Sequence, residues 1–322
     1  GFDNFERFEL SNGLRVVLAQ RSAVPVVNLR MMVNAGYASD QFGLPGTASL
    51  AMNMLDEGTR NRNALEISDE LAILGATMSS GSNLDVSTVS MSALKEKLSQ
   101  SLDLFADVIL NPTFPEDDYS RLQNQQLAAI AQEKVQPVGM ALRVVPRLLY
   151  GEGHAYSAPF RGTGTEESVT QLTTAGLKEF HETFFKPNNA TLVVVGDVNR
   201  DELEPLLEHQ YRRWSAGDKQ QKNIDLVGMP SQPTVYLVDR PDSEQSVIFA
   251  GHVAPPKNND REIAIVAMNE VLGGSFNARV NMNLREDKHW SYGARSLLLD
   301  AEGQRPFLVY APVQTDKTSE SM

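Results

Sequence analysis

The chain has 322 residues, 41% hydrophobic and 22% charged, the proportions of a globular protein long enough for two domains. A net charge of −12 argues against a nucleic-acid footprint, and the absence of cysteine excludes disulfides and thiolate zinc sites. No apolar run approaches the ~20 residues of a membrane-spanning helix, and the first residue is Gly1 rather than Met, which reads as a processed or trimmed product in which any export signal would be gone.

Residues 8–16 read as strand, Asn12-Gly13 turn and strand, with Val16-Val17-Leu18 continuing the second strand. Residues 24–35 make another strand, ended by Gly36. The stretch 43–59 reads as a helix with breakers at both ends, Pro45-Gly46 and Gly58. It is apolar on nearly all sides, which predicts burial. Thr47 is placed to cap its start. Two polar residues, Ser49 and Asn53, interrupt its apolar run; they are four apart and share a face, with Met52 beside it. Residues 65–74 put Ile67, Leu71 and Leu74 on one helical face. Residues 77–91, rich in Ser, Thr and Val, read as a hairpin.

Leu94, Leu98, Leu102, Phe105 and Ile109 predict a helix that Asn111-Pro112 ends. Pro115 opens the next, with Glu116 and Asp117 near its positive end. Further helices are expected around 140–149, within 169–185 and over 201–214, with a β-branched strand at 191–195. The polar stretch 215–230 carries the linker. Beyond it the order of elements begins again. Val235-Tyr236-Leu237-Val238 matches the strand at Val16, 246–254 matches the strand ending at Ala35, and Ala267-Met268-Asn269 repeats Ala51-Met52-Asn53. A duplicated domain follows: 1–218, a linker 219–231, and a second copy at 232–322 that reads as incomplete. The expected fold class is α+β, a mostly antiparallel sheet with helices on one face.

The five histidines, His154, His181, His209, His252 and His289, are scattered, with no pair at metal-binding spacing. There is no G-x-S-x-G nucleophile elbow. Gly162-Thr163-Gly164 reads as a turn rather than a phosphate cradle.

Four stretches, in the correct order, resemble the pitrilysin/insulinase family of inverted-motif zinc peptidases, and within it the bacterial group similar to the mitochondrial processing peptidase. Residues 8–16 resemble the opening F-x-L-x-N-G-L-x-V, and 43–59 resemble the helix that ends in Gly-Thr. Residues 184–198 (FFKPNNATLVVVGDV) resemble the strand signature near the end of the first domain, and 284–295 (LREDKHWSYGAR) the Arg–Tyr segment of the second. The resemblance implies tandem domains of the processing-peptidase, LuxS-like metallohydrolase type.

The family's zinc site is H-x-x-E-H on the opening helix, its Glu acting as general base. Counted back from Gly58-Thr59, the histidine positions fall on Ser49 and Asn53 and the base on Met52; the further glutamate ligand falls near Ala129. A hydroxyl, an amide and a thioether supply neither charge nor basicity for catalytic zinc. What the resemblance retains is Arg285 and Tyr292, which in the family face the zinc and bond the substrate backbone, the Tyr stabilising the oxyanion. The expectation is a zinc-free subunit, inactive alone and without a cofactor, that gives Arg285, Tyr292 and a chamber wall to a paralogous zinc-bearing partner cleaving unfolded peptides. The alternative is a scaffold subunit with no role in proteolysis, like the core subunits of the respiratory bc complex. Exported bacterial relatives imply a periplasmic location.

Overall fold

The computed structural model of the protein describes residues 5–322. The Asn-Gly turn forms where expected: β1 (Glu6–Glu9) and β2 (Arg15–Gln20) pair antiparallel. Gly13 takes φ +88°, a conformation that favours glycine, and Asn12 Oδ1 accepts the Leu14 N–H. β3 (Val26–Val33), β4 (Thr77–Ser82), β5 (Ser87–Leu94) and β6 (Ala190–Gly196) complete a six-stranded sheet of order β1-β2-β6-β3-β5-β4. Every neighbouring pair is antiparallel except β2–β6. The period-two pattern of β3 sends Val27, Leu29, Met31 and Val33 to the core and leaves Asn28 and Arg30 exposed.

Helices α1 (Thr47–Asn53), α2 (Ala64–Leu74), α3 (Leu98–Leu110), α4 (Glu116–Val135), α5 (Pro137–Tyr150), α6 (Glu166–Gln171), α7 (Thr174–Phe184) and α8 (Arg200–Tyr211) carry the rest of the first two thirds. α2 opens on an Asn63–Glu66 capping box and stops at Gly75, φ +62°. α3 buries Leu102, Phe105 and Ile109 through its 3.6-residue period.

Compactness divides the chain into two units, one made of residues up to Gln132 with Ala158–Lys222, the other of Glu133–Ser157 with Asn223–Met322. Within the second unit the Tyr150 hydroxyl donates to the Gln304 carbonyl, and the Tyr156 hydroxyl accepts the Gly303 N–H. Its sheet has the order β7 (Gln245–Ala254), β9 (Arg305–Gln314), β8 (Arg295–Leu298), the order of β3-β5-β4. Helix α9 (Glu262–Asn269) follows β7 as α1 follows β3, and β5 and β9 each run into a three-residue 3-10 turn. The duplication is therefore one of topology.

Three expectations need correction. The helix expected over 43–59 is only α1, because after Asn53 the chain turns, and Gly58 bridges Asn63. Thr47 does not cap it; its hydroxyl donates to the Leu44 carbonyl, and Gly46, φ +98°, stands at the N-cap. The strand expected at 235–238 does not form, and all four side chains are exposed. β-branched residues make a strand only against a neighbour, and β2, its counterpart, is held by β1 and β6 on both sides.

Candidate functional site

α1 owes its position to Asp40, whose buried carboxylate accepts the N–H groups of Gly46 and Ala48 at 2.7 and 2.9 Å. Burial drives this carboxyl up to about 8, against the pull of those two bonds. Past the helix, Thr59 is bound through its hydroxyl to Asp107, and Arg62 bridges Glu70, Asp103 and Asp107. Bonds from Thr59, Asn111, Arg62 and Asn61 overcome the burial of Asp107 and hold it below the usual carboxylate range. The Gly58-Thr59 pair is thus a fastening of the helix end to α3.

The four degenerate positions share no common pocket of donors. Ser49 is half-buried and its hydroxyl donates to the Gly162 carbonyl at 2.8 Å. Met52 is fully buried, turned into the core instead of lying beside the polar face, and its carbonyl accepts the Ser80 hydroxyl. Asn53, last in the helix, is exposed. Ala129 on α4 has no donor atom. Such a set does not fit zinc, which needs three nitrogen or carboxylate ligands and an open position.

Sequence reasoning missed what lies over α1. Residues 160–164 cross it with their carbonyls turned inward: Gly162 to Ser49, and Thr163 to the side chain of Gln126. Gln126 Nε2 also donates to the Gly46 carbonyl, while its buried Oε1 has no partner among the described residues. Gly162 and Gly164 are at φ +69° and +77°, and a Cβ on Gly164 would stand 2.2 Å from the Pro45 carbonyl oxygen. Two glycines one residue apart, followed by the Thr165–Ser168 cap of α6, were the available signal. Gln126 lies one turn before Ala129 on α4, a position readable only as polar from sequence.

Histidines offer no replacement. Burial lowers His181 to about 4, so it is neutral, and its Nε2–H donates to the Ile109 carbonyl at 2.7 Å. His154 stacks on Tyr150 and accepts the Tyr156 N–H at Nδ1. Among the described residues no three His, Asp or Glu side chains converge on a point that would hold a metal.

Arg285 and Tyr292 lie at two ends of one braced turn in the second unit. A short helix, α10 (Arg279–Asn281), runs into π-type turns over Met282–Asp287 that carry Arg285. The Leu284 carbonyl accepts from both Trp290 and Ser291, and Lys288 N–H donates to Asn283. Ser291 Oγ donates to Pro312 of β9, and Gln314 N–H returns a bond to Trp290. Beneath, Leu284 packs with Ala294, Ala311 and Val313. His289, at φ +57°, makes the reversal and bonds the Arg285 carbonyl through Nδ1–H. Tyr292 is 87% exposed, so it is not a core tyrosine. Arg285 is half-exposed, with Nε 3.2 Å from Glu286 and its guanidinium 4.8 Å above the Phe276 ring.

Residues 15–152 match the profile described as insulinase (peptidase family M16), and 171–322 that of the peptidase M16 inactive domain. The chain belongs to the insulinase (M16) peptidase family. The match of its second part to the inactive domain supports a non-catalytic member. Over 305 residues it is 21% identical to the uncharacterized zinc protease YmxG of Bacillus subtilis, covering 95% of this chain and 73% of that one. It is 21% identical to the zinc protease PqqE of Helicobacter pylori, covering 98% and 72%. The crystal structure of a peptidase M16 inactive domain from Pseudomonas fluorescens superposes with a TM-score of 0.89 at 27% identity, covering 98% of this chain and 76% of that one.

Proposed function

We propose that this protein is the zinc-free subunit of a two-chain M16 peptidase, in which a paralogous partner supplies zinc and general base and this chain supplies Arg285 and Tyr292. The observation that carries the reading is the contrast between the two places. At α1 the ligand positions are non-ligands, and Ser49 is committed to a backbone carbonyl. At 284–292 an Arg and a Tyr stand exposed on a turn that backbone bonds fix at both ends.

The chemistry asked of these residues is modest. A guanidinium donating to peptide carbonyls holds an extended substrate in register, as strand addition does. A neutral phenol, directed at the oxygen where charge grows, lowers the barrier without being deprotonated itself. The partner's zinc would supply the activated water. The test is cleavage of an unfolded peptide by this chain, by a paralogue with an intact H-x-x-E-H, and by the mixture. The account expects activity in the mixture only, and zinc well below one per molecule in this chain. Cleavage by this chain alone with stoichiometric zinc would refute it.

A further inference from the structure

Arg285 has two neighbours that treat its charge differently. Glu286 takes Nε in an exposed ion pair, the kind of contact that solvent and salt weaken. The guanidinium carbon lies over the Phe276 ring, 4.8 Å from its centre, and Phe276 is 57% exposed. A stacked guanidinium keeps the in-plane N–H fork open, whereas a second carboxylate would occupy it. The backbone that carries the ring is held: the Phe276 carbonyl accepts from Asn281 Nδ2 at 2.7 Å, and Asn281 Oδ1 accepts the Ala294 N–H at 3.0 Å. Asn281 is buried, and Ala294 lies two residues past Tyr292. One buried amide therefore ties the Phe276 turn to the strand entry that carries Tyr292.

We infer that Phe276 is a positioning residue for the trans site: its ring, on a backbone anchored by Asn281, orients the Arg285 guanidinium so that its N–H fork is free for a substrate carbonyl. This rests on the proposed role of Arg285.

The experiment compares Phe276→Leu, Phe276→Tyr, Arg285→Ala and the Phe276→Leu/Arg285→Ala double variant in the mixture with the zinc-bearing paralogue. The substrate is a fluorescein-labelled unstructured peptide of about twenty residues. Phe276→Leu keeps bulk and loses the ring; it is expected to raise KM about two- to five-fold with kcat little changed, the size of an exposed cation–π contact. Phe276→Tyr restores wild-type KM. In the Arg285→Ala background, Phe276→Leu adds nothing. Independently of activity, the guanidinium signals of Arg285 in NMR spectra of this chain are shifted upfield by the ring, and the shift vanishes in Phe276→Leu but survives in Phe276→Tyr. If Arg285→Ala lowers activity while Phe276→Leu matches wild type, or costs as much with Arg285 absent, the positioning role is wrong and the trans site stands. If Arg285→Ala is itself silent, the trans site falls and the inference with it.

Discussion

α1 and α9 occupy the same place in the two repeats and carry the same Ala-Met-Asn triplet, yet Met52 is fully buried and Met268 is 47% exposed. α1 lies against α7 and β4, under the 160–164 crossing. α9 has no buried residue at all. Their starts are fixed differently. Asp40 accepts the first N–H groups of α1, whereas Glu262 in α9 is gripped by the two terminal nitrogens of the fully buried Arg305. An apolar helix sequence therefore states a demand for burial; the elements laid over it decide whether that demand is met.

The comparison breaks most readily at the methionines. Met52→Ala is expected to cost about 2–5 kcal/mol, the range for a large side chain removed from a closed core. Met268→Ala should stay within about 0.5 kcal/mol, as for a surface position. Equilibrium urea denaturation followed by circular dichroism measures both, and equal losses would mean that α9 is as well packed as α1.

Next comes the anchor of α1. The Asp40 carboxyl is raised to about 8 from 3.8, so the folded state favours its protonated form. Its contribution to stability is full below about pH 4 and is lost as pH rises through about 8. Between pH 5 and 8, wild type should lose stability relative to Asp40→Asn, which has no proton to lose. Parallel stability curves for the two proteins would count against the buried-acid assignment.

The smallest effects belong to the two polar residues of α1. Ser49→Ala removes one bond to Gly162 and should cost about 1 kcal/mol. Asn53→Ala, at an exposed helix end, should fall within about 0.5 kcal/mol. A larger loss at Asn53 would show a partner that its exposure does not suggest.

Local signals carried most of the fold. Asn12-Gly13 and the stop at Gly75 are decided by residues near in sequence, and each formed where read; the Asn63–Glu66 cap and the alternation of β3 are equally local but were found only in the structure. Pairing is not local, so the β-branched run at 235–238 was misread for want of a neighbour. At the candidate site the spacing of Ser49 and Asn53 was legible. The direction of Met52 was not, because a helix apolar all round does not say which side meets the core. Nor was Gln126, whose contacts come from segments far apart in the chain, at Gly46 and Thr163. The exposure of Tyr292 depends on how the 288–293 turn is stitched to β9, which R-x6-Y alone does not encode.

The central claim is that chemistry has left α1 and resides at the 284–292 turn. The direct measurement is kcat/KM for peptide cleavage by the reconstituted pair, with Asn53→Ala, Arg285→Ala and Tyr292→Phe each introduced into this chain. The account predicts wild-type values for Asn53→Ala, a loss of about ten- to a hundred-fold for Arg285→Ala as a charged substrate bond goes, and about a hundred-fold for Tyr292→Phe as an oxyanion donor goes. Unchanged kcat/KM in both Arg285→Ala and Tyr292→Phe would contradict it.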